Sequence, residues 1–384
     1  MALARSGFRS LRGRRVGVVS NPTGVLDDLS HVVDAMHGAG LDVGGVFGPE
    51  HGFRGSAQAG GSEGTGTDAR TGLTVYDAYG ADGAAFEELY DRADVDTVVF
   101  DIQDVGSRFY TYVWTMYHAQ VAAARSGRRF VVLDRPNPVG GRAAGPMMTP
   151  TYTSGVGLKE VVQQHGMTVG ELARMFNDTF VLEEAGAPAE LVVEQVRGWR
   201  RSELHATTGL PWVPPSPNMP APETALVYPG TCLFEGTNLS EGRGTTRPFE
   251  WIGAPWADHH WSDDLNAAGL RGVRFRESYF VPSFSKHVGA TCAGVQVHVT
   301  EPQRFDAIRT AVTMLVALKA RYADFAWRVD AWDTARPYWI DKLTGSTRLR
   351  EQVDAGAGVD EVVAAWADEL AAFERHRRPY LLYR

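Results

Sequence analysis

The chain predicts an α/β fold built on a mostly parallel sheet, and three observations carry the prediction. Short apolar runs alternate with amphipathic stretches through the first third, which is the pattern of βαβ units. At about 150 residues per domain, 384 residues allow two or three domains and a sizeable core. A Pro-rich segment at 211–222 can continue neither helix nor central strand, so the domains are read as 1–215 and 216–384.

Strands are expected at 15–20, 41–47, 97–101 and 130–134, with helices at 30–38, 84–92 and 112–126 between them. Ser30 suits the N-cap of the first helix, and Gly38 and Gly40 its stop. Segment 56–72 is rich in Gly, Ser, Thr and Ala and reads as a long flexible loop able to act as a lid. A helix opens near Thr168, where Glu171 stands at capping-box spacing. Past the boundary, strands are expected at 273–281 and 293–300, and helices at 303–322 and 359–376. There is no internal repeat.

Composition excludes several classes. Charged residues make up 22% and hydrophobic ones 44%, with mean hydropathy −0.22, values of a soluble globular chain. A net charge of −8 repels polyphosphates, which argues against nucleic acid as a partner. Cys232 and Cys292 form no CxxC pattern, so neither a disulfide framework nor a zinc knuckle is expected. No apolar run reaches the roughly 18 residues of a membrane helix, and no membrane insertion is expected. Arg5, Arg9, Arg12, Arg14 and Arg15 resemble a secretory n-region, but no apolar h-region follows. The cytoplasm is the default compartment, with export the alternative.

In an open parallel sheet, ligands bind beyond the carboxyl ends of strands. Here those ends run into Gly48-Pro49-Glu50-His51-Gly52-Phe53-Arg54-Gly55, Asp101-Ile102-Gln103-Asp104-Val105-Gly106-Ser107-Arg108 and Asp134-Arg135-Pro136-Asn137-Pro138. Glu50 in its Gly-bounded turn is a candidate general acid, with His51 orienting it or shuttling the proton; the alternative is a turn stabiliser beside a packed histidine. Asp101 suits sugar hydroxyls, whereas Asp104 and Arg108 also suit a structural ion pair. Tyr110, Tyr112 and Trp114 alternate as cleft-wall aromatics would, although Trp114 and Tyr117 better fit a buried helix face. The densest polar segment is Glu235-Gly236-Thr237-Asn238-Leu239-Ser240-Glu241-Gly242-Arg243-Gly244-Thr245-Thr246-Arg247-Pro248-Phe249-Glu250. Its small residues let backbone approach a ligand, and its acids and arginines can bind hydroxyls and a carboxylate.

Other patterns are weaker. Gly64-Thr65-Gly66-Thr67-Asp68-Ala69 lacks the strand and helix of a dinucleotide site. Gly60-Gly61-Ser62-Glu63-Gly64 matches the GxSxG elbow without an apolar strand before it, which leaves a serine esterase using Ser62 as a rival. Asp258, His259, His260, Asp263 and Asp264 form a polar loop in which adjacent histidines are expected to diverge, so no metal is expected.

The motifs in order resemble the exo-β-N-acetylmuramidase family of peptidoglycan hydrolases over nearly the whole chain. Besides those quoted, the resemblance rests on Ser20-Asn21-Pro22-Thr23-Gly24, Phe109-Tyr110-Thr111-Tyr112, His165-Gly166-Met167-Thr168-Val169-Gly170-Glu171-Leu172, Pro215-Ser216-Pro217-Asn218-Met219-Pro220 and Leu343-Thr344-Gly345-Ser346. It implies a Rossmann-like N-terminal domain, a smaller C-terminal α/β domain and an active-site cleft between them. The implied reaction hydrolyses the β-1,4 bond that holds a terminal N-acetylmuramic acid at the non-reducing end of fragments such as muramoyl-glucosamine. No cofactor is implied.

By that resemblance Glu50 is the leading acid, with His51 beside it, and the partner carboxylate lies among Asp104, Glu235 and Glu241. Arg54, Asp101, Gln103, Arg108, Tyr110, Tyr112, Asn137, Glu235, Asn238, Ser240 and Arg243 are the expected substrate contacts. Because N-acetylmuramic acid carries a lactyl carboxylate, Arg54, Arg108 or Arg243 is expected to fork onto it, and all three are expected to gather beside Glu50. A non-catalytic muramoyl-sugar binding protein is the second rival. Trp212, Trp251 and Trp256 are open between sugar stacking and core.

Overall fold

Valine-rich strands buried on both faces are what a parallel sheet with helical crossovers demands. The computed structural model describes residues 2–384. Its first half contains β1 (Arg15–Ser20), β2 (Asp42–Gly48), β3 (Gly66–Thr67), β4 (Thr74–Asp77), β5 (Thr97–Asp101), β6 (Arg129–Leu133), β7 (Ala144–Met147), β8 (Val162–Gln164) and β9 (Glu190–Glu194). Seven of these form one sheet in the order β3-β4-β2-β1-β5-β6-β9, all parallel except the β3–β4 pair. The six parallel strands thus follow the doubly wound order of a Rossmann-like domain, which reverses between β1 and β5. β7 and β8 pair separately.

Period-two alternation sorts the strand residues onto two faces. Val16, Val18, Val46, Val99 and Val131 pack with Val32, Val33 and Met36 of the first crossover helix, Val32–Gly38. Val19, Phe47, Val98, Phe100 and Phe130 pack on the other face with Phe86 and Tyr90 of Gly83–Ala93 and Tyr117 of Tyr112–Arg125. The first helix is capped by His31, whose Nδ1 accepts the Val33 N–H at 3.2 Å, and not by Ser30. Ser30 donates its hydroxyl to Asp28 instead. At Thr168 the capping box with Glu171 forms as expected.

The second half holds β10 (Trp251–Ala254), β11 (Val273–Phe280) and β12 (Cys292–Val299), antiparallel in the order β10-β12-β11. Helices Pro222–Thr231 and His260–Ala267 pack on this sheet, and Ala307–Arg321 packs on both of them. The helix expected from 303 starts at Ala307, where the Asp306 carboxylate accepts the Arg309 N–H at 3.0 Å. The helix expected at 359–376 is two, Val359–Ala364 and Ala367–Arg377, parted at Trp366, whose ring is buried in the core.

One buried cluster runs through both halves, joining Phe109 and Tyr110 to Tyr228, Phe249 and Trp261. The chain's last residues return to the first domain. Tyr383 donates its hydroxyl to Asp134 at 2.5 Å, Leu382 N–H to Glu171 at 2.7 Å, and the Arg384 carbonyl accepts from Arg201 N–H at 2.9 Å. At the other end, Leu3, Phe8 and Leu11 are buried within the arginine-rich segment. Among the described residues, no helix is long and apolar enough to cross a membrane.

Candidate active site

β2 delivers the chain through Gly48 and Pro49 to Glu50, which is half-buried. One Glu50 oxygen accepts the Gly60 N–H and the other the Thr111 hydroxyl, each at 2.9 Å. Thr111 lies at the start of helix Tyr112–Arg125, so β2 and the β5 crossover meet at this carboxyl. Tyr112 packs beside it, donating its hydroxyl at 2.7 Å to the carbonyl of Pro215, at the end of the first domain, and standing 3.4 Å from the Glu50 carbonyl.

His51 sits in the left-handed region, with φ 71. Its Nδ1 lies 3.0 Å from the Ala57 carbonyl, and its N–H donates to the Gly61 carbonyl at 3.0 Å. The histidine therefore fastens the Glu50 loop upon itself. Gly52 follows at φ 85, where a Cβ would fall 2.2 Å from the Glu63 side chain, so only glycine fits. The segment expected to be a flexible lid is held shut by its own bonds: Glu63 accepts from the Arg54 and Ser56 N–H groups and the Ser56 hydroxyl.

From Glu50 a ladder of edge-to-face rings crosses into the second domain. Tyr112 meets Tyr110 at 5.3 Å, Tyr110 meets Tyr228 at 5.7 Å, and Tyr228 meets Phe249 at 4.7 Å. The Arg243 guanidinium caps the ladder 5.0 Å over the Phe249 ring. Burial first, and then neighbouring groups that include Glu50 for Tyr110 and Glu235 for Tyr228, pushes both phenols well above their ordinary pKa.

At the far end lies a charged cluster. Arg243 pairs with Glu235 at 2.6 Å and with Glu241 at 3.4 Å, while Lys286 stands 2.8 Å from Glu241. Lys286 also donates to the Phe234, Thr237 and Leu239 carbonyls at 2.8, 3.0 and 2.7 Å. Ser285 and His287 on either side of it are both left-handed, at φ 71 and 55, a strained arrangement that packing must hold in place. A concavity of about 670 Å³ opens here, lined by Glu235, Glu241, Arg243, Lys286 and Arg328 among others. A second, of about 610 Å³, brings Gln58 of the Glu50 loop against Asn218, Gly244 and Trp251.

The expected gathering of arginines beside Glu50 does not occur. Arg54 forks onto Asp68 at 2.9 and 2.8 Å and also bonds Asp34 at 2.9 Å. Arg108 is fully buried, donating to the Pro146, Val161 and Leu343 carbonyls at 2.8, 2.7 and 2.6 Å, and burial pushes its pKa down to about 9. Its two terminal nitrogens are committed to main chain and its Nε is enclosed without a partner, so the side chain does not pair with Asp104 as expected. Asp104 instead accepts from Gly106 N–H at 2.6 Å and sits 3.1 Å from His165, enclosed in the first domain.

Asp101 is likewise buried, bonded to Arg135 at 2.6 Å, and Gln103 donates to the Asp104 and Pro136 carbonyls. Asn137 and Asn238 brace loops, each through its side-chain amide, to Met167 and Val139 and to Asp324 and Ala326 respectively. The Ser240 hydroxyl accepts the Gly242 N–H. Glu241 is buried between two cations, whereas Glu235 is only half-buried. Trp251 stacks on Phe280 and lines the smaller concavity, Trp212 bonds the Met219 carbonyl, and Trp256 packs on Tyr322.

Thr111, Lys286 and Arg328 went unmarked in the sequence. Thr111 lay inside a quoted motif, but Lys286 and Arg328 carried no local signal. Ser62 donates to the Asp77 carboxylate at 2.6 Å, the wrong partner for an activated nucleophile, which needs a base in turn oriented by a third group. His259 and His260 do not diverge as expected. Their rings lie 4.0 Å apart, and with Asp263 they form an exposed group with donor atoms within 4.8 Å.

Tyr110 and Tyr112 are buried in the ring ladder, so they pack the core and do not form the cleft wall expected of them. A doubly wound sheet carrying Glu50 on a strand-end loop, packed against a second α/β domain that carries Glu235, offers the paired carboxyls of an α/β glycoside hydrolase. Family models described as the N-terminal and C-terminal domains of the exo-β-N-acetylmuramidase NamZ match residues 16–223 and 226–383. The chain belongs to the exo-β-N-acetylmuramidase family. It is 42% identical over 378 residues to the peptidoglycan β-N-acetylmuramidase NamZ of Bacillus subtilis (strain 168), covering 98% of this chain and 88% of that one. A DUF1343 family protein from Bacteroides fragilis NCTC 9343 superposes with TM-score 0.88 at 32% identity, covering 100% of this chain and 97% of its own. A second DUF1343 protein from that strain gives 0.78 at 29%, over 99% and 97%.

Proposed function

We propose that the chain releases terminal N-acetylmuramic acid from the non-reducing end of peptidoglycan fragments such as muramoyl-glucosamine, with Glu50 as proton donor. The observation that carries this reading is the Glu50 carboxyl, held by Gly60 and Thr111 in a first-domain loop whose Gln58 faces Gly244 and Trp251 of the second domain across a concavity. Glycosidic cleavage needs one carboxyl to protonate the leaving oxygen and another to activate water or attack the anomeric carbon. For the second role Glu235 is better placed than Asp104 or Glu241: it is half-buried with one cation beside it, whereas Glu241, on the same concavity, is buried between Arg243 and Lys286, and Asp104 is enclosed beside His165. The name of the Bacillus subtilis relative supports the substrate class.

The test is incubation with a muramoyl-glucosamine disaccharide and detection of free N-acetylmuramic acid. Glu50→Gln is expected to lower kcat by at least ~10²-fold, the low end of general acid contributions. Undiminished activity in that variant overturns the assignment. Binding of the disaccharide without turnover by the wild type favours a sugar-binding protein instead.

A further inference from the structure

A lactyl carboxylate must be met by a cation that has a donor to spare, and the net charge of −8 supplies no general attraction. Arg54, Arg108 and Arg243 are each committed to carboxylates or carbonyls within the protein. Arg328 is different. Its main chain is pinned on both sides, N–H to the Gly236 carbonyl at 2.8 Å and carbonyl from the Trp339 N–H at 3.1 Å. Its guanidinium lies 4.9 Å over the Trp339 ring, a stacking that orients the planar fork while leaving its edge open. The one side-chain hydrogen bond it makes is long, 3.5 Å to the Glu235 carbonyl. Among the described residues no carboxylate pairs with it.

Arg328 lines the 670 Å³ concavity beside Glu235, the half-buried acid of the cleft. In that concavity Glu235 and Glu241 face Arg243, Lys286 and Arg328, which leaves one positive charge unmatched. The left-handed residues flanking Lys286 are a second, independent sign of a built site, since backbone strain of this kind clusters at ligand clamps.

We infer that Arg328 is the specificity residue that takes the lactyl carboxylate of N-acetylmuramic acid in a charge-assisted fork; this rests on the muramidase reading above. The Trp339 ring holds the guanidinium ready, and the sugar supplies the missing anion. A glucosaminide, which has a hydroxyl at that position, gains nothing from the fork.

The experiment compares wild type, Arg328→Gln and Arg328→Lys on chromogenic N-acetylmuramide, its lactyl methyl ester and N-acetylglucosaminide. Arg328→Gln is expected to lose roughly 10- to 100-fold in kcat/KM on the muramide, the range of one charged hydrogen-bonded contact, chiefly through KM. Its rates on the ester and glucosaminide should match wild type, and Arg328→Lys should recover part of the muramide rate. The exposed side chain makes misfolding a separable matter, checked by an unchanged melting temperature. A wild type that prefers muramide, with Arg328→Gln equally selective, overturns this assignment alone. A wild type that cleaves no muramide overturns the muramidase reading and the assignment together.

Discussion

Tyr110 of the first domain and Tyr228 of the second meet edge to face, with ring centroids 5.7 Å apart. Both are buried, and each is also edge-on to a further ring, Tyr112 for the one and Phe249 for the other. Aromatic pairs of this geometry add about 0.5–1.5 kcal/mol beyond area burial, so a ladder of them fixes the spacing of the two banks rather than leaving it to a hinge. Glu50 stands at one end and the Glu235–Arg243 pair at the other.

Tyr228→Ala is therefore expected to destabilise the fold by about 3–5 kcal/mol, as large-to-small changes of buried aromatics do. A lowered denaturant midpoint checks it. Tyr228→Phe keeps the rings in contact and should cost only about 1 kcal/mol.

Thr111 touches Glu50 through one hydroxyl at 2.9 Å. Thr111→Val should lower kcat by about 10-fold with KM little changed, the mark of a group that positions the acid, and Thr111→Ser should restore it. Steady-state kinetics on the muramide decide the matter; a change confined to KM would contradict it.

Much of this was legible in the residues themselves. β1 and β5 occupy the expected spans because β-branched runs bounded by turns leave little choice, and Thr168 with Glu171 announced a helix start that forms as read. β4 and β9 were not foreseen: Thr74–Asp77 and Glu190–Glu194 are short, and their outer residues are exposed or half-exposed, so their apolar pattern is faint. The arginines were misread for a different reason. Arg108 is satisfied by carbonyls at Pro146, Val161 and Leu343, partners distant in sequence, so nothing adjacent to it in the chain records its role.

Arg108→Met should accordingly act on stability and leave sugar preference alone. Three buried carbonyls would lose their donors at about 1–3 kcal/mol each, so a loss of at least 3 kcal/mol is expected. Equilibrium unfolding measures it, and altered selectivity with unchanged stability would refute it.

Asp134 sets a pH dependence. Burial, opposed by hydrogen bonds from Tyr383, Gly170 and Thr168, lifts its carboxyl from 3.8 to about 6. Below 3.8 both folded and unfolded chains hold the proton and its contribution is fully present; as pH rises to about 6 the unfolded chain releases it first, and stability falls by roughly 3 kcal/mol. Asp134→Asn should flatten this fall, since the Thr168 and Tyr383 hydroxyls can turn to an amide. Denaturant midpoints at pH 4 and pH 7 for both proteins make the comparison.

The same Asp134 is where the far end of the chain comes home, through Tyr383, with Leu382 on Glu171 and Arg384 on Arg201 alongside. A chain emerging from the ribosome presents Asp134 early and Tyr383 249 residues later. Until Tyr383 and its neighbours arrive, Asp134 and Glu171 lack partners that the finished fold gives them. The first domain therefore gains its last contacts only after the second has been made.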